Sequence, residues 1–328
     1  IKYFDYEKEE DVNPNNSNFL KSQYSLLKKI DWEEKFYDSK DFKLSELIYW
    51  FKAPQLYWLN KKNISPKGIF NHHPDEEHVS NLQKFKLVTK VIQKLEIDNY
   101  DIIDELKNLN INEQFLENGI IAPRNSIFTK EKEIQNLLGS LVENLSNDKN
   151  IKRVYVKSNS NKEEYFISDN VVIELIHSKL SLKSLSEAWI KLLFISSLEK
   201  RITKTKVIFR KENQYKSEIL QTPGQLQSKK ILEEYINIFK NYSDKCLPLP
   251  PESTYKYVEA KKLLKNEKKA FSDKWIGNKT FTKGERDNSV IQMCFGNKKE
   301  GDFFFGNDKF DDLSFRLYGP LFKALKNK

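Results

Sequence analysis

Apolar residues recur at helical spacing through the first half of the chain. Leu44, Leu47, Ile48 and Phe51 share one face, the three-and-four spacing of an amphipathic helix. Ser45 is its expected N-cap, and Pro54 is expected to kink or end it. A second short stretch, Gln55 to Lys61, carries Leu56, Tyr57, Trp58 and Leu59. A loop with Pro66, Gly68 and Pro74 follows. Leu82, Phe85, Val88, Ile92 and Leu95 then predict a helix over Asn81 to Leu95. A short helix is expected from Asp101 to Leu109, and Asn112 is expected to cap a turn running to Leu116. Ile134, Leu137, Leu138, Leu141, Val142 and Leu145 predict an amphipathic helix over Glu131 to Leu145.

At Asn147 the period shortens to two. Val154 and Val156 alternate with Tyr155, so Ile151 to Lys157 reads as a strand. Glu164 to Ser168 and Val171 to Ile176 continue as strands, with Ser158 to Lys162 as a hairpin loop. Leu182, Leu185, Trp189, Leu192 and Leu193 mark a helix. Thr205 to Arg210 and Lys216 to Gln221 form two more strands, with Asn213 in their turn. Leu226 to Tyr242 is a helix with Leu232, Tyr235, Ile236 and Phe239 inward. Pro248, Pro250 and Pro251 stop it. A basic helix follows from Tyr255 to Lys269, and a closing helix spans Leu313 to Leu325. The organisation expected is an irregular lead-in over residues 1–40, a helical portion over 41–146 and an α/β portion over 147–328. The last two are packed as one C-terminal domain.

Composition changes this picture in two ways. Only 38 % of residues are hydrophobic, yet there are 22 Phe, 15 Tyr and 5 Trp. Large rings bury much area per residue, so a core remains affordable and disorder is disfavoured. The net charge of +9 makes an anionic partner plausible. A Lys-rich, Asn-rich, Ile-rich composition from AT-rich coding sequence produces the same excess, so charge alone leaves DNA binding at even odds. No apolar run is long enough to span a bilayer, and Ile1 to Glu10 has no signal-peptide core. Ile1 suggests a start inside a longer protein or after processing. Cys246 and Cys294 match no metal spacing and read as free thiols in a cytoplasmic protein.

Chemistry is sparse. Nothing matches a P-loop or a dinucleotide fingerprint, so ATP is not expected to bind by those routes. His72, His73 and His78 lie near Asp75, Glu76 and Glu77. A polar loop before a helix explains them better than a metal shell, because no downstream His or Cys completes one. His177 beside Ser178 lacks an acidic orienter. Asp169, Glu174 and Lys179 are the serious carboxylate–lysine candidates for metal-dependent cleavage. The spacing from Glu174 to Lys179 is too long for a Glu-x-Lys pair on one strand, which favours a paired or edge carboxylate at Glu174.

The basic clusters carry more information. From Trp189 to Lys216 stand Lys191, Lys200, Arg201, Lys204, Lys206, Arg210, Lys211 and Lys216 against Glu199 and Glu212. A second cluster, Lys256 to Arg286, includes Lys256, Lys261, Lys262 and Lys265. Tyr255, Tyr257, Phe271, Trp275 and Phe281 are interleaved with it. Lysines that neutralise phosphates and rings that stack on bases suit single-strand or junction binding. A solvated helix face over a buried aromatic stripe suits the same pattern.

Three segments resemble one family. Residues 42 to 59, Phe42-Lys-Leu-Ser-Glu-Leu-Ile-Tyr-Trp-Phe-Lys-Ala-Pro-Gln-Leu-Tyr-Trp-Leu, look like the Leu-x-x-Leu-x-x-Phe-x-x-x-Pro-x-x-Trp-Phe helix that opens the C-terminal domain of RecC. Lys179 to Ile190 is similar to that family's Lys-Leu-x-x-Lys-x-Leu-x-x-x-Trp segment. Leu247-Pro-Leu-Pro-Pro-Glu-Ser-Thr-Tyr-Lys-Tyr-Val-Glu-Ala, Ala270 to Trp275, Gly284-Glu-Arg-Asp and Leu317-Tyr-Gly-Pro-Leu then occur in the family's order. The resemblance runs from about residue 40 to the C-terminus.

RecC is the gamma subunit of exodeoxyribonuclease V. The resemblance therefore implies a non-motor subunit that joins the helicase subunits RecB and RecD, handles duplex ends, forks and single strands, and serves double-strand break repair by recombination. It implies an α/β fold with a PD-(D/E)xK nuclease-like (restriction-endonuclease-like) core, a large helical N-terminal portion and no active site. ATP and Mg²⁺ then belong to the partner subunits, and no cofactor, metal or catalytic residue is expected here. The DNA-binding candidates are Lys191, Lys200, Arg201, Lys204, Lys206, Arg210, Lys256, Lys261, Lys262 and Lys265. Related nucleases with iron–sulfur clusters carry Cys-Pro where this chain has Ala53-Pro54; two cysteines cannot ligate such a cluster. An active nuclease with a displaced Asp/Glu/Lys site and a purely architectural docking domain remain alternatives.

Overall fold

A computed structural model describes residues 34–35, 42–64, 124–146, 148, 151–158, 161–176, 178–278, 282–296, 301–305 and 308–326. The helices expected over Asn81 to Leu95, Asp101 to Leu109 and from Asn112 lie outside the described residues, as does the lead-in apart from Glu34 and Lys35. The chain divides into two compact units: Ile1–Ile69 with Lys229–Lys328, and Phe70–Ser228.

The second unit is mixed α/β. Helix α3 (Arg124–Leu145) precedes β1 (Lys152–Ser158), β2 (Asn161–Ser168) and β3 (Val171–Ile176). Helix α4 (Leu182–Leu198) then leads to β4 (Lys204–Lys211) and β5 (Gln214–Gln221). The five strands lie in sequential order. β1, β2 and β3 form an antiparallel meander, β3 and β4 are parallel, and β4 and β5 are antiparallel. A parallel pair needs a crossover, and α4 supplies it. The run expected as a loop, Ser158 to Lys162, is mostly strand: Ser158 pairs with Asn161 and Lys157 with Lys162. Alternation alone missed this because Asn161 and Lys162 are both polar.

α4 is buried nearly all round, from Leu185 through Ile195, as expected of a helix that is hydrophobic on most of its faces. Its start is a reciprocal serine cap. Ser184 N donates to Ser181 Oγ at 3.2 Å, and Ser181 N donates to Ser184 Oγ at 3.0 Å. β5 is an edge strand, and α3 blocks it. Tyr215 N donates to Ser140 Oγ at 2.8 Å, and Asn144 Nδ2 donates to the Tyr215 carbonyl at 2.9 Å. Such side-chain capping satisfies backbone groups that would otherwise recruit another strand.

The first unit is helical and aromatic. α1 (Leu44–Lys52) buries Leu44, Leu47, Ile48, Trp50 and Phe51. Ser45 is not its N-cap: Lys43 holds that position without a side-chain bond, and Ser45 lies in the first turn. Pro54 ends α1 and opens α2 (Pro54–Lys61) at the first helical position, where its missing N–H costs nothing. α5 (Gln225–Tyr242) enters the unit, and its Tyr235 and Phe239 pack against Phe51 and Trp50 with centroids 5.0 and 5.6 Å apart. α6 (Pro251–Lys262) and α7 (Glu267–Ile276) replace the single basic helix expected over Tyr255 to Lys269. α6 ends with Leu264 at φ 54° and the Lys265 N–H bonded to the Ala260 carbonyl at 2.8 Å. This is a Schellman-type stop with leucine where glycine is usual. A short antiparallel pairing of Gly277–Asn278 with Thr282–Lys283, a one-turn 3₁₀ segment (Glu285–Asp287), α8 (Ser289–Phe295), α9 (Asp302–Phe305) and α10 (Asp308–Lys326) follow in the unit. Cys246 and Cys294 are buried and free. Burial and the neighbouring Cys294 push the Cys246 thiol up, which keeps it unreactive.

One ionic knot ties distant segments of this unit. Arg316 on α10 meets Glu34 at 2.5 and 2.9 Å, Glu234 at 2.8 Å and Asp312 at 3.3 Å. The Arg316 bond holds the Glu34 carboxyl below its ordinary range, against burial. A lowered carboxyl stabilises above its unfolded pKa and loses that contribution as pH falls through the folded value. Glu34→Gln should therefore lower the melting temperature near neutrality and narrow its deficit in acid. A deficit that is constant with pH would remove the ion pair as its cause.

Candidate functional site

Strand register keeps the three carboxylate–lysine candidates apart. Asp169 sits in the β2–β3 turn at φ 50°, and Lys179 follows the far end of β3. A six-residue strand separates them, about 3.3 Å per residue, so Asp169, Glu174 and Lys179 do not meet. Glu174 finds a different lysine. Lys191 Nζ on α4 lies 2.8 Å from Glu174 and 3.4 Å from Glu187 one turn earlier. Tyr165 on β2 donates its hydroxyl to the Lys191 carbonyl at 3.1 Å.

Glu163 shares a face of β2 with Tyr165, two residues away. Burial pushes its carboxyl up, Lys191 opposes that shift, and Glu174 and Glu187 add to it. Burial lowers the Lys191 ammonium's pKa, but Glu174 and Glu187 together outweigh it and raise the balance. The result is one ammonium among three carboxylates, at a place where the sheet meets α4. Among the described residues, no group of three or more His, Cys, Asp and Glu is arranged to hold a metal ion. Sequence reading missed Glu163, Tyr165 and Glu187. The available signals were the two-residue step in β2 and the Glu187–Lys191 step of four on α4.

The first basic cluster divides. Lys200, Arg201 and Lys204 are exposed where α4 passes into β4. Lys206 is engaged: its ammonium lies 2.7 Å from Asp148 and also donates to the Asn144 carbonyl. Arg210 Nε donates to the Glu212 carbonyl at 2.9 Å, near the exposed Lys211 and Lys216 at the opposite end of β4. Lys191 belongs to the acidic group above.

In the second cluster, Lys256 pairs with Glu259 at 2.5 Å and Lys261 with Asp311 at 2.7 Å. Lys262 stands 5.1 Å over the Phe315 ring, and Lys265 is exposed. Four of the interleaved rings do not face solvent. Tyr255, Tyr257, Phe271 and Trp275 are all buried, and Phe271 stacks on Trp275 at 6.2 Å. Of the two readings the sequence leaves open, these four rings fit the buried aromatic stripe, because helical spacing places them on the inner face. Phe281, His177 and the histidine loop at His72, His73 and His78 lie outside the described residues. No described helix is long and apolar enough to cross a membrane.

No curated protein is significantly similar to the chain. A family model does match: the RecC C-terminal domain, over residues 39–262. That span holds α1, α2, the whole five-stranded sheet, α4 and α6, well over half of the chain, and the chain belongs to the RecC C-terminal domain family.

Proposed function

We propose that this chain is a non-catalytic DNA-binding and subunit-docking part of the RecC subunit of exodeoxyribonuclease V, built on a PD-(D/E)xK nuclease-like core. It acts in the cytoplasm in double-strand break repair by homologous recombination. RecB and RecD are its protein partners, and duplex ends, forks and single strands its DNA partners. ATP and Mg²⁺ serve those partner subunits.

The observation that carries the reading is the Lys191–Glu174 pair, 2.8 Å across. In a metal-dependent nuclease a strand carboxylate holds Mg²⁺ and a nearby lysine serves the attacking water. Here the carboxylate and the ammonium neutralise each other. The sequential mixed sheet with α3 and α4 supports the nuclease-like core. The DNA contact is best assigned to Lys200, Arg201 and Lys204, whose exposure leaves them able to reach phosphates.

Charge reversal at Lys200, Arg201 and Lys204 together should weaken binding to a forked oligonucleotide about tenfold or more and flatten its salt dependence, read by fluorescence anisotropy. Unchanged affinity would leave the purely architectural docking role. Incubation with Mg²⁺ or Mn²⁺ should leave the DNA intact. Cleavage abolished by Glu174→Ala would establish an active nuclease instead.

A further inference from the structure

The other edge of the sheet carries a feature that the basic clusters do not. β1 stands first in the strand order. Tyr155 in its middle is 52 % exposed, the most exposed aromatic side chain among the described residues. Tyr49, the other exposed ring, packs edge-on against Tyr57 at 5.6 Å, and its hydroxyl accepts from Asn60. Among the described residues, no comparable ring contact holds Tyr155. Its neighbours are cations: the Arg153 guanidinium lies 5.4 Å and the Lys162 ammonium 5.1 Å from the ring centroid.

Register explains the grouping. Arg153, Tyr155 and Lys157 alternate onto one face of β1, and their partners on β2 are Phe166, Glu164 and Lys162. Arg153 is fixed by a two-point bond to Glu164, at 2.6 and 2.9 Å. Lys157 and Lys162 are exposed. This face therefore presents a flat ring, one anchored guanidinium, two exposed ammonium groups and one carboxylate that the guanidinium already neutralises.

We propose that Tyr155 is a stacking platform for an unpaired nucleobase, with Lys157 and Lys162 taking the flanking phosphates. The inference rests on the DNA-binding reading and adds the part it lacks, a ring that a base can reach. A base has a π-face whatever its sequence, and a positive groove beside an exposed ring is how single strands are held without sequence preference. A cation at an exposed ring is held only weakly, so Lys162 can leave the ring for a phosphate at little cost.

The test uses the full chain and a single-stranded oligonucleotide. Tyr155→Ala should weaken its binding by about 5- to 100-fold, Tyr155→Trp should retain or strengthen it, and blunt duplex binding should change little. A 5-iodouracil oligonucleotide should crosslink to Tyr155 on irradiation, mapped by mass spectrometry. If Tyr155→Ala leaves single-strand affinity unchanged while the Lys200, Arg201 and Lys204 reversal abolishes it, the platform is wrong and the DNA-binding reading stands. If neither variant matters, both fail. Loss of binding to a RecB or RecD subunit with DNA affinity intact would assign the face to protein docking and overturn the proposal.

Discussion

Lys191→Met is expected to destabilise the chain by about 2–3 kcal/mol near neutral pH, because it leaves half-buried carboxylates without their cation. The side chains concerned are shielded: Lys191 is 19 % exposed, Glu174 21 % and Glu187 31 %. Methionine keeps the length and the apolar stem, so lost packing contributes little. The pH dependence identifies the cause. In the wild type, an ammonium with a raised pKa stabilises fully below its unfolded value and loses that contribution as pH rises through the folded value. In Lys191→Met the cost comes from ionised carboxylates, including the Glu163 group that burial already pushes up. That cost should shrink as pH falls through the carboxylate range. Urea unfolding at a series of pH values reads both limbs. Adding Glu174→Gln to Lys191→Met should recover part of the loss, since the neutral amide no longer needs a cation. A deficit of the same size at every pH, unmoved by the second substitution, would show that packing and not charge holds α4 to the sheet.

Much of the second unit is legible in the sequence because a period of two or of three-and-four survives any tertiary context. The strand over Val171–Ile176 and the helix ending at Leu145 lie where an apolar run and an amphipathic pattern put them. What alternation cannot give is which acid meets which lysine. Glu174 and Lys179 are near in sequence but separate, whereas Lys191 returns to Glu174 across the crossover. Capping is also ambiguous: Ser45 has the chemistry of an N-cap, but the helix begins at Leu44. The serine cap that forms is Ser181 with Ser184. The aromatic content marks core material, yet the same rings suit DNA on paper. Only burial separates these roles, and burial depends on which face of α6 and α7 turns inward.

The segments that resemble the RecC family acquire a physical reason in the first unit, since most of them meet each other there. Gln55, one residue beyond the Ala53-Pro54 step, donates to the Leu247 and Leu249 carbonyls at 2.9 and 3.0 Å. The prolines of that stretch leave backbone carbonyls without helical or strand partners, and a buried amide satisfies two of them. Tyr235 donates to the Leu317 carbonyl at 2.7 Å, and Tyr318 packs edge-on against Phe51 at 5.5 Å. These residues specify a core, so the family likeness there reports a shape. A nucleic-acid contact has to be sought elsewhere, on exposed cations and on Tyr155.

Gly284→Ala tests this most severely and should cost about 3 kcal/mol or more. A Cβ at Gly284 would overlap the Trp275 carbonyl oxygen and the Ile276 carbonyl carbon and oxygen. These are backbone atoms at the end of α7, so no rotamer change relieves the clash. The surrounding residues make the position hard to move. The Asp287 carboxylate accepts from Gly284 N at 2.9 Å, closing the turn. Glu285 accepts from Glu252 N at 3.0 Å and Ser253 N at 2.7 Å, supplying the N-terminal cap that Pro250 cannot give α6. A shift of Gly284 away from α7 would therefore also uncap α6. Gly139 is the internal control. It lies within α3, and a methyl group there would meet nothing within 4 Å, so Gly139→Ala should stabilise by about 0.5–1 kcal/mol. Denaturant midpoints for the two variants should move in opposite directions. A Gly284→Ala chain as stable as the wild type would mean that the end of α7 yields freely, and that the Gly284-Glu-Arg-Asp segment does not join α6 to α7.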